Sequence, residues 1–300
     1  MKNDDDISEE EYLKSLKIDD INTSSLRKSV KSVSAFPLYL NDFLKFIGET
    51  NGLKVFEVMR RMNDANTWIK KCNYLLEGIN RSFLIAADLI DKNENLFVPF
   101  RITNEDRFVF YFIENAIYRL FSLWDTLAHL YHFYYELDFK TEKLHYVNIF
   151  NSAIKKTLMN KAKKKIKEFL NEPNDSFLEI IEEKFVEICR YINEKNEFVD
   201  GQWKGNHRYL KKIRNQFTHR DNPHDFALLN YTQKNFSMPD APLLELKRSI
   251  DDYLVLYENI CNILKLVTFE MAQYGIWFDV DIKRYNPMRK YLDDLKQQES

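Results

Sequence analysis

From residue 104 to about residue 138, apolar side chains recur so densely at helical spacing that they nearly encircle the helix they predict. Phe108, Phe112, Ile113, Ile117, Leu120, Phe121, Trp124, Leu127, Leu130 and Tyr131 leave almost no polar face. Such a helix belongs at the centre of a bundle. Asn104 suits its N-cap, and Glu105 and Asp106 suit its positive end. Residues 54–79 carry Val55, Val58, Met59, Met62, Ile69, Leu75 and Leu76 at mostly helical spacing. Residues 81–91 form a short apolar run that fits a buried helix or a strand. Residues 152–170 read as a strongly basic helix and 175–198 as an amphipathic one. Residues 202–220 read as a polar helix, and 243–274 as a last long helix ended by Gly275. Pro37 predicts a helix over 38–47 that Gly48 stops. In the charged segment 1–22, Tyr12, Leu13 and Leu16 allow one short docking helix. Residues 93–99 and 223–242 read as loops. The second holds Pro223, Pro239 and Pro242 and is long enough to be functional or mobile.

Composition narrows the fold class. Only 6 Gly and 7 Pro occur in 300 residues, fewer than turn-rich sheet folds need, whereas 23 Phe and 17 Tyr supply a large core. The expected fold is all-α: an antiparallel helical bundle built on 104–138, 175–198, 202–220 and 243–274. No internal repeat or composition break is evident. The expected organisation is an N-terminal helical extension over 1–100, a bundle over 101–275 and a polar tail over 276–300. Cys72, Cys189 and Cys261 are odd in number and far apart, which argues against a disulfide framework and for a reducing compartment. No apolar stretch approaches the roughly 20 residues of a membrane span. The acidic start is unlike a signal peptide. The expectation is a soluble, cytoplasmic protein. Its net charge of −2 excludes a globally basic nucleic-acid binder, while leaving local patches open.

One such patch carries candidate chemistry. In Lys212-Ile213-Arg214-Asn215-Gln216-Phe217-Thr218-His219-Arg220, an arginine precedes a histidine by five residues. Arginine is a permanent cation whose planar fork fits phosphate. Histidine can take and give a proton near neutral pH, and Asn215 can orient either. On a straight helix Arg214 and His219 lie about 140° apart. A complete site therefore needs a helix end between them or a second copy. From Lys204 to Arg220 there is no acid, while Lys204, Arg208, Lys211, Lys212, Arg214 and Arg220 are cationic and Trp203 and Tyr209 are aromatic. That is the footprint of an RNA-binding surface. A solvated helix face, with a dipole-favoured terminal histidine, would look the same.

The spacing resembles the signature of the HEPN family, an arginine followed after four to six residues by a histidine. Ile213 and Phe217 flank it at helical spacing, and Asp221-Asn222-Pro223 follows it as a stop. Arg119-Leu120-Phe121-Ser122-Leu123-Trp124-Asp125 resembles the aromatic, acid-bearing helix that packs beside the motif helix in such proteins. The resemblance spans roughly 101–275. It implies a metal-independent endoribonuclease, acting as a toxin or defence effector, with two copies pairing at the motif and an antitoxin or defence partner. It gives Arg214, Asn215 and His219 catalytic roles, and Asp125 an orienting role behind them. Trp203, Lys204, Arg208, Lys211, Lys212 and Arg220 would touch RNA. The alternative from another class is a non-catalytic RNA- or nucleotide-binding module, or a dimerising one.

Other constellations read as structural. Asp125, His129 and His132 share one helix face at metal-ligand spacing, but no second helix supplies a matching ligand set, and no metal or cofactor is expected. Asp125 reads instead as a buried acid answering a cation, with Arg214 or Arg119 as candidates, or Asn215 as an amide partner. The lysines at 155, 156 and 161–167 either extend a phosphate-tracking surface or form a soluble face. No phosphate loop, nucleophile elbow or zinc motif is present.

Overall fold

The computed structural model of the chain describes residues 21–40, 52–93, 104–170, 175–199, 202–218, 241–273 and 277–278. Among the described residues the architecture is all-α. The helices are α1 (Thr23–Ser32), α2 (Gly52–Lys92), α3 (Asn104–Tyr135), α4 (Tyr146–Ile149), α5 (Lys155–Leu170), α6 (Asp175–Asn193), α7 (Asn206–Thr218) and α8 (Pro242–Gln273). Two small antiparallel ladders accompany them: β1 (Tyr39–Leu40) with β4 (Trp277–Phe278), and β2 (Glu197–Val199) with β3 (Gln202–Lys204).

α3 is the apolar helix its sequence predicts. Ile113, Ile117, Leu120, Leu123, Trp124, Leu127 and Leu130 are all fully buried. The run 81–91 is helical and continuous with 54–79, so α2 spans 41 residues. α1 lies in a segment that periodicity left unassigned. Its start is fixed by Asn22, whose side chain accepts from the Ser25 N–H at 3.1 Å, and it buries Leu26 and Val30.

Two further boundaries differ from expectation for identifiable reasons. Tyr39 and Leu40 form a strand, not the start of a helix over 38–47; residues 41–47 lie outside the described residues. Asparagines on α2 occupy this backbone. Asn73 accepts from the Phe36 N–H at 2.7 Å and donates to its carbonyl at 2.8 Å. Asn66 does the same for Tyr39, at 2.8 and 2.9 Å. Satisfied laterally, these peptide groups need no helix. Likewise Gln202–Lys204 is a strand, so the motif helix begins at Asn206. The expected docking helix near Tyr12, the loops over 94–99 and 223–240, and the tail from 279 all lie outside the described residues.

The chain divides into two compact units. The first comprises Met1–Ser34, Leu75–Ser122 and Arg190–Val255, and the second Ala35–Tyr74, Leu123–Cys189 and Leu256–Ser300. In the first, Arg27 of α1 bonds the Ala87 carbonyl at 3.2 Å and pairs with Asp88 at 3.0 Å and with Asp91. Tyr253 donates to Asn80 at 2.7 Å. In the second, Glu270 of α8 is buried between Arg61 of α2 and Lys165 of α5, with the Lys165 Nζ 3.2 Å away.

Candidate functional site

α7 is placed by the hairpin before it. Gly205 joins β3 to α7 with φ +64, and a Cβ there would lie 2.4 Å from the Lys195 carbonyl oxygen. Only glycine takes that turn without strain. Its N–H donates to Glu194 at 2.9 Å. Arg248 of α8 then fastens the junction. Its guanidinium donates to Asn206 at 2.8 Å, to Asn196 at 2.7 Å and to the Lys204 carbonyl at 3.3 Å. It also lies over the rings of Tyr209 at 3.7 Å and Trp203 at 4.8 Å. Beside it His207, wholly buried, has Nδ1 3.3 Å from Asp252, which also accepts from Tyr191 at 2.9 Å.

The helix so anchored is two-faced. Tyr209, Leu210 and Ile213 are buried, while Arg208, Lys212 and Asn215 are exposed at i, i+4 and i+7 on one face. Arg214 is half-buried, with its guanidinium 5.1 Å over the Phe121 ring of α3. His207, seven residues earlier and on the same side, meets that ring at 5.2 Å. Phe217 lies against Tyr118 at 5.8 Å. Burial and Glu114 raise the Tyr118 phenol above its ordinary pKa, and Arg214 opposes them. Among the described residues, Arg208, Lys211, Lys212 and Arg214 have no acidic partner. His219 and Arg220 lie outside the described residues.

Several expected site residues have other duties. Trp203, half-buried, packs edge-on against Phe198 at 5.0 Å with Arg248 over its ring, and Tyr209 is buried. Lys204 remains exposed. For Asp125 the partners found lie within its own unit. Its carboxylate accepts the Tyr146 N–H at 3.0 Å and lies 3.7 Å from His145, capping α4. His129 stacks on Trp68 at 4.3 Å. Among the described residues no group of three or more His, Cys, Asp or Glu is placed to hold a metal ion. No described helix is long and apolar enough to cross a membrane.

Residues 68–188 match the model of the Cthe2314-like HEPN family (HEPN_Cthe2314). The chain carries a HEPN-type domain. The match begins inside α2, well before residue 101, and ends in α6. Arg214 and Asn215 on α7 therefore lie beyond the residues the HEPN model matches. No curated protein and no solved structure matches the chain.

The Arg248 cluster is the feature that sequence reasoning missed. Positions 244, 248, 252, 256 and 260 form one i+4 row, and Leu244, Leu256 and Ile260 in it are buried. Arg248 and Asp252 interrupt that apolar row. A charge on an apolar stripe is the signal that would have revealed them.

Proposed function

We propose that this HEPN protein is a metal-independent endoribonuclease whose active groups are Arg214, Asn215 and His219. The observation that carries the reading is α7 itself. It is a rigidly launched helix whose outward face is cationic and amide-bearing, with no acidic partner for its cations among the described residues. In the mechanism His219 takes the proton of a ribose 2′-hydroxyl or returns one to the leaving 5′-oxygen. Arg214 offsets the charge that accumulates on the phosphate, and Asn215 orients one of these groups. Attack by the 2′-oxygen leaves a 2′,3′-cyclic phosphate and a free 5′-hydroxyl.

The angular separation of Arg214 and His219 favours a site completed by a second copy. Phe108, Tyr111 and Tyr118 of α3 support pairing: they share a face and are 60%, 59% and 39% exposed. Exposed apolar side chains grouped in this way mark interaction surfaces. A toxin or defence role in the cytoplasm, held in check by a partner, is consistent with an RNA-cleaving dimer.

A second reading, a non-cleaving RNA-binding module, draws on the half-buried seat of Arg214 over Phe121, which a purely structural arginine would also adopt. Cleavage of a labelled single-stranded RNA in the presence of chelator separates the two. His219→Ala should lower the rate by about 10²–10⁴ and leave RNA binding nearly intact. The products should end in cyclic phosphate. Activity restored only by magnesium, or cleavage of DNA lacking the 2′-hydroxyl, overturns the ribonuclease reading.

A further inference from the structure

The second unit contains a cavity of about 280 Å³ that no part of the ribonuclease scheme uses. It lies among α3, α6 and α8. Phe177, Ile180 and Ile181 line one side, and Ile263 and Leu266 line another. Its volume sits at the small end of the range of about 300–1,000 Å³ for small-molecule sites.

Tyr131 and Tyr135 of α3 also line the cavity, and they are only 5% and 2% exposed. Among the described residues no hydrogen-bond partner is found for either phenol. Buried tyrosines ordinarily find a partner for the hydroxyl. Two that lack one, both lining the same cavity, are donors without an acceptor. Burial raises both phenols above their ordinary pKa, so they remain protonated donors.

The charged residues that line the cavity are Lys184 and Lys265. Lys184 is answered by Glu187 at 2.8 Å. Lys265 is exposed, and its recorded contact is the Asn262 side-chain oxygen at 3.3 Å, a neutral group. The cavity thus offers apolar walls, two phenol donors and one ammonium group that no carboxylate neutralises among the described residues.

We propose that this cavity binds a small amphiphilic carboxylate. Its apolar body would lie against Phe177, Ile180, Ile263 and Leu266, and its head group would draw on the Tyr131 and Tyr135 hydroxyls and on Lys265. The site is independent of Arg214 and His219, so it stands or falls apart from the ribonuclease reading.

Titration calorimetry with the full chain tests it, using decanoate, decanol and decyltrimethylammonium below their micelle concentrations. Decanoate should bind saturably and about fivefold more tightly than decanol, the size of effect one exposed charge supplies. The cation should be the weakest of the three. Ile180→Trp, which fills the cavity from a half-exposed position, should weaken decanoate at least about tenfold. Phe177→Glu, also half-exposed, should do the same by repulsion if the tryptophan variant does not fold. Lys265→Met should erase the preference for decanoate over decanol. Absence of saturable decanoate binding overturns the proposal. So do equal affinities for decanoate and decanol in the wild type, or undiminished binding by a folded cavity variant.

Discussion

α5 and α7 have the same signature in sequence, a dense run of lysine and arginine, and opposite electrostatic fates in the structure. On α5, Lys155 reaches Glu182 at 2.5 Å, Lys161 reaches Asp138 at 3.1 Å, and Lys165 is buried against Glu270. On α7 none of Arg208, Lys211, Lys212 and Arg214 meets an acid among the described residues. These three cations of α5 are answered from α6, from the segment after α3 and from α8. A charge run is therefore not in itself a binding surface. What decides is whether the fold brings acids to it, and that information lies far away along the chain.

The sharpest way to break this contrast is to remove the acid at the centre of the answered region. Glu270 is 1% exposed and holds Arg61 and Lys165, while Lys165 also approaches Glu136 at 3.6 Å. Burial nevertheless lowers the Lys165 pKa, with Glu270 opposing, so desolvation outweighs the pairing. Glu270→Gln removes the buried counter-charge and leaves Arg61 and Lys165 sharing only the exposed Glu136, which should cost about 3–5 kcal/mol in urea unfolding. A loss below about 1 kcal/mol would mean that the network is wetter and weaker than its geometry implies.

Arg248 is the counterpart in the first unit, donating to Asn206, Asn196 and the Lys204 carbonyl. Arg248→Met strands those acceptors, at an expected cost of about 1–3 kcal/mol. The same substitution should speed amide exchange at the start of α7 while leaving exchange in α5 unchanged. Equal acceleration in both helices would mean that Arg248 supports the chain generally and does not specifically anchor the motif helix.

What the sequence disclosed follows from how local each cause is. α3 was legible because its apolar density is continuous from Phe108 to Tyr131. The motif was legible as a string, and its helix down to Thr218. The start of that helix was not, because it depends on the pairing of Phe198 with Trp203 and on the turn at Gly205. β1 was missed because its partners lie far along the chain: Asn66 bonds Tyr39 on both sides of the peptide, and Trp277 and Phe278 of β4 pair with the strand. Asp125 was read as a buried acid answering a cation, but its side chain is 36% exposed. Its partner is a peptide N–H of a four-residue helix that periodicity cannot detect.

RNA binding gives the direct test of unanswered against answered cations. Lys211→Ala and Lys212→Ala on α7 should each weaken binding modestly and lower the salt slope by about 1. Lys155→Ala and Lys161→Ala on α5 should leave affinity unchanged, because their charges are already engaged with Glu182 and Asp138. Fluorescence anisotropy over a salt series reads both. If the α5 variants lose as much as the α7 variants, the one-signed face is not the binding determinant and the contrast collapses.

Acid should produce the smallest effect, read at His129 and His132 of the second unit. His129 has its pKa lowered by burial first and then by Lys71, His132 and His145, with Asp125 opposing. His132 is lowered by burial, opposed by the Leu137 backbone and Asp138. For a histidine depressed in the folded state, the unfolded chain binds more protons between the folded pKa and about 6.5, so stability rises with pH there. The contribution is therefore present above about pH 6.5 and is lost as pH falls through the folded values. Melting midpoints measured from pH 7.5 down to 5 should decline, and His129→Gln should flatten the decline. Both rings are partly exposed, so the change should be a modest tilt rather than a collapse. A profile equally steep in His129→Gln would assign the acid sensitivity to other groups and leave the Trp68–His129 stack a purely packing contact.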